Sequence, residues 1–578
     1  MNNSNNLFNF IFSFLLLALI SSCSSHYAEH IKEGKAYYRY FKYDGHDTFY
    51  DQHPIDKSKQ FYNPILPGFY PDPSICQRGE DYFLVTSTFS FFPGIPIYHS
   101  RDLVNWKLVG HVLERPSQYM NRDQPISYGI FAPALSYNPK NETFYLTTTF
   151  VGGGGNFIVT AKDPAGDWSD PVWIPEVEGI DPSLFFDDDG KAYLVNNGEP
   201  EGKAEYSGHR AIWIQEFDVE NQKMIGPRKV LINGGHDFST KPIWIEGPHI
   251  YKIKDYYFLM AAEGGTSINH TEVIFRSKNV FGPYERNPNN PILTQKNLPE
   301  ERDYPITNAG HADLFQDKAG NWYSIFLACR PYRKGNIFNI GRETFIHPVT
   351  WEKDWPTILE SGKTIPMVLD LPEGVTKSED KAWMPAGNFS YTDDFKSDSL
   401  AMEWMFLRTP TETEWYTLNR VEGGIWLDPQ PTNLREMKHT AFLGRRQQHH
   451  DFTLETAIRF VPMSEQDFAG ISLFQRESHY LNLGLTKDGT KTILALCKSQ
   501  QGEDGLMEEK LASVALPIYD EEVKLKVQCE NGIFSFLYQL ENEDWKTLKT
   551  GIDAAYLSTA EAGGFIGTVM ALYTTHNN

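Results

Sequence analysis

Five segments of the chain repeat one pattern, and this repetition constrains the fold more than any other feature. Each segment has a kinked start, an apolar run, a polar turn and an aromatic run, as in "PDPSICQRGEDYFLV" and "IDPSLFFDDDGKAYLV". This order predicts two strands joined by a tight turn. Aligned on Pro73, Pro133, Pro182, Pro248 and Ala312, the segments are 60, 49, 66 and 64 residues apart.

Five similar β units at this spacing predict a propeller, in which blades of four strands surround a central axis. The composition agrees, because 14% aromatic residues with 44 Gly and 35 Pro favour strands and turns over a helical bundle. We therefore predict an all-β chain with a five-bladed β-propeller at residues 61–364. If each segment supplies the innermost strand of its blade, the five starts meet at one end of the axis.

The residues at these five starts suit acid–base chemistry. They are Asp72, Phe131, Asp181, Glu246 and His311. Cleavage of a glycosidic bond needs one carboxyl that stays protonated and one that is ionised. Asp72 lies between two prolines, which predict a restricted and extended backbone, and is the predicted general base. Glu246 follows Trp244 and Ile245, and desolvation beside other acids makes it the predicted general acid.

Asp181 is the predicted third carboxylate, which keeps Glu246 protonated and oriented. Each residue also has a plainer interpretation, since an Asp before Pro is often a turn former. Phe89 and Phe131 are interpreted as an apolar sugar platform or, alternatively, as blade core. Three acids at matching starts favour the catalytic interpretation.

The motifs "YPDPS", "GIDPSLF", "EGPHI", "GHAD" and "GRET" occur in this order between about Asn63 and Trp355. In these motifs and their order the chain resembles glycoside hydrolase family 43, the five-bladed propeller enzymes that include β-xylosidases and α-L-arabinofuranosidases. The resemblance implies inversion of the anomeric centre, and it implies roles for these positions: Asp72 as general base, Asp181 as pKa modulator, Glu246 as general acid, and His311 and Arg342 as substrate contacts.

The same resemblance implies no required cofactor, although a calcium ion beside His311 is left open. Family members often carry Trp at the position of Phe131, so the smaller ring leaves the substrate preference open.

Beyond residue 364 the pattern changes. Residues 365–388 are predicted to be a linker, and alternating strands in residues 389–578 predict a β-sandwich. This part resembles the concanavalin A-like jelly roll attached to many β-xylosidases of the family, in which a sandwich loop can close the pocket and favour exo action. A packing partner or a separate glycan-binding module are the alternatives. Residues 24–60 show no periodicity and are interpreted as an N-terminal tether partly packed on the propeller.

The N-terminus predicts export. "FIFSFLLLALI" is too short to span a bilayer comfortably, and residues 1–23 are interpreted as a signal peptide whose "LISSC" resembles a bacterial lipobox. Cys23 is then the lipidation site, and the protein is anchored to a bacterial membrane on its periplasmic or cell-surface side. An ordinary secretory signal is the alternative. The other cysteines lack CxxC spacing, so a zinc site is not predicted.

The formal net charge of -22 argues against nucleic acid, whose phosphates need Lys and Arg. We predict an exo-acting, inverting glycosidase that removes xylose or arabinose from plant hemicellulose and takes plant-derived oligosaccharides as substrate. Two alternatives stay open: a non-catalytic glycan-binding lipoprotein, and a related five-bladed hydrolase acting on another glycan such as galactan. The oligomeric state is left open as well.

Overall fold

The computed structural model describes residues 34–373, 375, 386–410, 414–502, 505–517 and 521–576. The predicted signal peptide and Cys23 lie outside the described residues, as do residues 374 and 376–385 of the predicted linker. Within the described ranges, no helix is long and apolar enough to cross a membrane. The described helices are short: α1 (Thr48–Gln52), α2 (Thr559–Ala562), and 3-10 turns at Phe238–Thr240 and Ala554–Leu557.

Five antiparallel sheets follow one another along the chain and form the blades. The strands before them are β1 (Ala36–Gly45) and β2 (Gln60–Tyr62). Blade one contains β3 (Ser74–Arg78), β4 (Asp81–Val85), β6 (Gly94–Ser100) and β7 (Lys107–Leu113), with β5 (Phe91–Phe92) in the loop between β4 and β6. Blade two contains β8 (Gly129–Asn138), β9 (Thr143–Val151), β10 (Gly155–Ala161) and β11 (Val172–Trp173).

Blade three contains β12 (Ile180–Phe186), β13 (Ala192–Gly198), β14 (Ala211–Asp218) and β15 (Lys223–Asn233). Blade four contains β16 (Glu246–Ile253), β17 (Tyr256–Glu263), β18 (Thr271–Ser277), β19 (Glu285–Arg286) and β20 (Leu293–Thr294). Blade five contains β21 (Thr307–Gln316), β22 (Trp322–Cys329) and β23 (Glu343–Pro348).

The first strands β3, β8, β12, β16 and β21 contact one another around the axis, which confirms the predicted propeller and its innermost strands. The ring closes between blades five and one. Leu66 pairs with Thr344 beside β23, so the N-terminal segment occupies the outer position of blade five. The Asp313 carboxylate accepts hydrogen bonds from Ser74 Oγ at 2.9 Å and Ile75 N at 3.0 Å, which joins the two blades near the axis.

Turns and apolar contacts between neighbouring blades explain why the repeated sequence folds this way. In the "DDDG" turn of blade three, Gly190 has φ +98° and donates to Asp187 O at 3.0 Å, and Gly320 repeats this geometry with Asp317 in blade five. Apolar side chains then fill the wedge between blades, as Ile212 and Leu259 do between blades three and four. The described cysteines, Cys76, Cys329, Cys497 and Cys529, are free thiols.

After the propeller come β24 (Thr350–Glu352), β25 (Trp355–Thr357) and β26 (Val368–Asp370), the last of which pairs with β2. The remaining strands are β27 (Phe389–Asp393), β28 (Met405–Leu407), β29 (Tyr416–Leu418), β30 (Ile425–Leu427), β31 (Ala441–Arg446), β32 (Phe452–Arg459) and β33 (Asp467–Arg476). They continue with β34 (His479–Asp488), β35 (Lys491–Gly502), β36 (Gly505–Ala515), β37 (Val523–Glu530), β38 (Ile533–Gln539), β39 (Lys546–Asp553) and β40 (Val569–His576).

Two antiparallel sheets make up the predicted sandwich. One has the order β29-β30-β1-β32-β37-β38-β39, with β27 also pairing with β1, and the other has the order β36-β35-β34-β33-β40-β31-β28-β5. Their inner faces share one apolar core that includes Trp404, Leu443, Leu483 and Phe536. The propeller strand β5 extends the second sheet through its pairing with β28, so hydrogen bonds join the two domains directly.

The prediction that residues 24–60 form a tether on the propeller was wrong for residues 36–45. Strand β1 lies inside the first sheet of the sandwich, paired with β27, β30 and β32. Tyr38, Phe41 and Tyr43 are buried in the sandwich core. The pairing with β32 shifts register between Tyr38 and Phe41, which breaks the alternation of buried residues. That shift is why the sequence shows no strand period here.

Buried charges reinforce the junction between the domains. Arg408 is fully buried, pairs with Glu477, and donates from Nε to Gln124 O of the propeller at 2.8 Å. Glu477 Oε1 also accepts from the backbone N of Ile126 at 2.9 Å. These two hydrogen bonds hold the propeller loop against the sandwich. Removing either charged partner would leave the other as an uncompensated buried charge, which is costly.

Candidate active site

The predicted site residues meet in one cavity of about 260 Å³, at the end of the axis where the first strands begin. It is lined by all seven predicted contacts: Asp72, Phe89, Phe131, Asp181, Glu246, His311 and Arg342. It is also lined by Ala132, Ile180, Trp244, Gly265, Thr266, His270 and Phe565. The cavity draws on every blade because each first strand starts at this end.

The cavity floor is built on backbone in the left-handed region. The angle φ is +53° at Asp72, +55° at Asp181 and +54° at His311, so the prediction of an extended backbone at Asp72 was wrong. Asp181 and His311 lie where strand pairing shifts register, and such bulges re-aim side chains. Each of these non-glycine conformations costs about 1–3 kcal/mol, which the packed blades must offset.

Two donors hold the carboxylate of Asp72. Arg342 Nη1 lies 2.8 Å from Asp72 Oδ1, and Ser87 Oγ donates to Asp72 Oδ2 at 2.6 Å. The backbone N of Ala132 donates to Ser87 Oγ at 2.7 Å, which fixes the hydroxyl. Burial opposes ionisation, but the Arg342 guanidinium and the Ser87 hydroxyl outweigh it and hold the pKa of Asp72 below its ordinary value. Asp72 is therefore an ionised carboxylate that can accept a proton.

Glu246 has the opposite electrostatic environment. Burial, and after it the negative charges of Asp181 and Asp72, raise the pKa of Glu246 well above its ordinary value. Burial and Asp72 also raise the pKa of Asp181. Asp181 Oδ2, however, accepts from Gly247 N at 3.0 Å, which favours its ionised form. Glu246 is therefore the protonated acid of the two, and the site holds one proton donor and one base.

Two imidazoles complete the floor as neutral groups. Burial lowers the pKa of His311 to about 4, and burial likewise lowers the pKa of His270 to about 4. His270 Nδ1 lies 3.0 Å from Asn308 O and so carries the proton. Both rings pack where glycines leave room: a Cβ on Gly247 would lie 2.9 Å from the His311 ring, and one on Gly310 would lie 2.7 Å from His270.

The surroundings of His311 do not suit a calcium ion. Calcium prefers six to eight oxygen ligands, whereas the nearest carboxylate, Asp72, lies 3.8 Å from His311 Nδ1 and is already paired with the Arg342 cation. Within the described ranges, no group of three or more His, Cys, Asp or Glu side chains is arranged to hold a metal.

One wall of the cavity comes from the sandwich. Phe565, in the loop before β40, stacks on Phe89 at 5.9 Å and meets Phe131 edge-on at 5.8 Å between ring centroids. Its carbonyl accepts from Arg342 Nη2 at 3.3 Å, and its N–H bonds to Ser127 Oγ at 3.0 Å. The sandwich thus closes the side of the cavity on which the predicted sugar platform lies.

Sequence reasoning did not single out Ser87, Thr266, His270 or Phe565. Phe565 lies in "AGGFIG", where glycines beside one aromatic residue indicate a loop that packs closely on something. Ser87 lies two residues after the second strand of blade one and two residues before Phe89, and the pairing of that strand with the first brings its hydroxyl to Asp72.

The chain is similar to known proteins in both of its domains. The profile described as Glycosyl hydrolases family 43 matches residues 61–356, and the Beta xylosidase C-terminal Concanavalin A-like domain matches residues 392–578. A xylosidase/arabinosidase of Butyrivibrio fibrisolvens is 38% identical over 89% of this chain and 96% of its own. A non-reducing end alpha-L-arabinofuranosidase of Bacteroides ovatus is 35% identical over 90% and 92%.

Among solved structures, the crystal structure of a GH43_12 protein retrieved from a capybara gut metagenome superposes with a TM-score of 0.86. It is 40% identical and covers 93% of this chain and 99% of its own. The fold is thus shared over nearly the whole length of both chains. The chain belongs to glycosyl hydrolase family 43.

Proposed function

We propose that the protein is an exo-acting, inverting glycosidase that removes terminal xylose or arabinose residues from hemicellulose oligosaccharides. The observation that carries this proposal is the contrast between two carboxyls in one cavity: Arg342 favours ionised Asp72, whereas burial and two anionic neighbours favour protonated Glu246. A cavity of about 260 Å³ closed by Phe565 suits one sugar ring rather than a continuing chain. The names of the relatives support the two pentoses.

In the proposed reaction, Glu246 donates its proton to the glycosidic oxygen as the bond to the anomeric carbon breaks. Asp72 accepts a proton from a water molecule, whose oxygen attacks the anomeric carbon from the opposite face. The new C–O bond has inverted configuration, Asp72 ends protonated, and Glu246 ends ionised until both exchange with solvent. Asp181 orients Glu246 and, by its negative charge, keeps it protonated between turnovers.

The first test uses the chain without its first 23 residues and two aryl glycosides, a β-D-xylopyranoside and an α-L-arabinofuranoside. We expect hydrolysis of at least one, with the inverted anomer appearing first by NMR and a loss of activity in Asp72→Ala. Retention of configuration would refute the assignment of Asp72 as base. Inactivity of the folded protein on both substrates would favour a binding protein or a hydrolase acting on another glycan.

We also propose that Cys23 carries a lipid that anchors the protein to a bacterial membrane. The support is the apolar run that ends in "LISSC". Metabolic labelling with a palmitate analogue should mark the wild-type protein and not Cys23→Ala. Label that persists in Cys23→Ala would contradict the proposal.

A further inference from the structure

Trp244 lines the catalytic cavity at its mouth. Its side chain is 36% exposed, whereas Asp72, Asp181 and Phe89 on the floor are 6%, 6% and 1% exposed. Partial exposure is common for tryptophan, but this indole lines the cavity that contains the reactive carboxyls. Its apolar ring is therefore available to contact a ligand that enters the cavity.

The surrounding residues hold this indole in place. The backbone of Trp244 has φ +52°, a rare conformation for a bulky residue, and its N–H donates to Gly208 O at 2.8 Å. The Arg210 guanidinium lies 4.3 Å from the ring centroid and is itself paired with Glu199. With Arg210 covering the ring on one side, the exposed part of the indole is presented to the cavity.

A glycine permits this arrangement. Gly208 has φ +79°, and a Cβ there would lie 2.9 Å from Ile243 and 3.5 Å from the indole Nε1. The loop that carries Gly208 and Arg210 connects β13 to β14 of blade three, so a neighbouring blade supports the Trp244 ring. Strained backbone that neighbouring elements hold in place is concentrated at binding and catalytic sites.

The position of Trp244 relative to the proton donor Glu246 indicates which part of the substrate the indole contacts. Trp244 precedes Glu246 by two residues, and on the proposed function Glu246 protonates the oxygen that joins the cleaved sugar to its leaving group. The cleaved sugar occupies the buried floor beside Asp72, so groups nearer the mouth than Glu246 face the leaving group. We propose that Trp244 forms the platform for the leaving-group sugar, stacking on the C–H face of a pyranose ring.

This inference rests on the proposed function and predicts that Trp244 contributes to turnover only when the leaving group is a sugar. The test compares two substrates that share the cleaved sugar: xylobiose, whose leaving group is a sugar, and β-D-xylosyl fluoride, whose leaving group is one atom. If arabinose is preferred, the pair becomes α-L-arabinofuranosyl-xylobiose and α-L-arabinofuranosyl fluoride. Trp244→Ala should lower kcat/KM about tenfold on the oligosaccharide and less than about twofold on the fluoride.

Two further variants serve as controls. Trp244→Phe keeps an aromatic face and should recover most of the activity on the oligosaccharide. Trp173→Ala removes a tryptophan that is 40% exposed on the outer strand of blade two, outside the cavity, and should change neither rate. Inhibition by the released monosaccharide should also stay within about twofold of wild type in Trp244→Ala, because that sugar binds on the floor.

Equal losses on oligosaccharide and fluoride would overturn the inference, because they would place the ring against the cleaved sugar. A shifted basic limb of the pH profile on the oligosaccharide would overturn it too, because the ring would then act through the proton donor Glu246 and not through the leaving-group sugar. Wild-type rates of Trp244→Ala on both substrates would overturn it as well. The ratio of the two rates is independent of the amount of folded enzyme, so partial instability of Trp244→Ala does not obscure it. Inactivity of the wild type on both substrates of both pairs would instead overturn the proposed function, and the inference with it.

Discussion

Replacing the proton donor Glu246 by glutamine is the most informative single change. The side chain keeps nearly the same shape, but an amide cannot donate the proton that the departing oxygen needs. A positioned general acid contributes about 10²- to 10⁴-fold, and each factor of ten corresponds to about 1.4 kcal/mol of barrier. Glu246→Gln should therefore cost about 3–5 kcal/mol of transition-state stabilisation on a disaccharide.

The assay measures kcat/KM on a disaccharide and on a dinitrophenyl glycoside of the same sugar, whose leaving group hardly needs protonation. We expect the full loss on the disaccharide and less than about tenfold on the activated substrate. The fall of wild-type activity at high pH, where Glu246 ionises, should disappear in the variant on the activated substrate. Glu178→Gln, an exposed carboxyl before the first strand of blade three, is the matched control.

The same substitution has a consequence for stability with a definite sign. The pKa of Glu246 is raised in the folded protein because burial and the neighbouring charges disfavour its ionised form. The free energy of unfolding therefore has its full value below the pKa of Glu246 in the unfolded chain. It falls as the pH rises through the higher pKa of Glu246 in the folded protein. The Tm of Glu246→Gln should exceed that of wild type increasingly as pH rises. Equal kinetic losses on both substrates, or a Tm difference independent of pH, would refute the assignment.

Three further outcomes are expected. Arg342→Met should shift the acidic limb of kcat/KM to higher pH, because without that cation burial raises the pKa of Asp72; an unmoved limb would mean that Asp72 is not the titrating base. Phe565→Ala should lower kcat/KM on both substrates without changing Tm by more than a few degrees, and unchanged kinetics would remove the sandwich from the site. Arg408→Ala should lower the free energy of unfolding by about 3–5 kcal/mol in urea titrations, because Glu477 loses its buried partner; a change below about 1 kcal/mol would show that solvent reaches the pair.

The sequence predicted those site residues that are chemically active and also lie at equivalent positions of the repeated unit. Asp72, Asp181 and Glu246 could be found because each occupies the same place in a repeated unit, and the fold brings equivalent places together. Ser87 and Phe565 carry no such signal. Phe565 contributes through its contact with Phe89, which joins residues far apart in the chain. Ser87 contributes because the pairing of the first two strands of blade one brings it beside Asp72.

The backbone at Asp72 shows a second limit. A following proline favours extended geometry on average, yet φ is +53° here. The carboxylate is held by Arg342 and Ser87, and these tertiary contacts override the local preference. Local propensity predicts what a dipeptide does in water and not what a packed site imposes on it.

The place of β1 in the sandwich has a consequence for the order in which the chain assembles. This strand is synthesised first among the described strands, but its partners β27, β30 and β32 follow more than 340 residues later. During synthesis the whole propeller emerges before those partners exist, so β1 must stay unpaired meanwhile. A fragment that ends after the propeller would keep a ten-residue strand whose Tyr38, Phe41 and Tyr43 have lost their core. Such an edge invites pairing with other chains, so the catalytic domain is not separable from the sandwich by simple truncation.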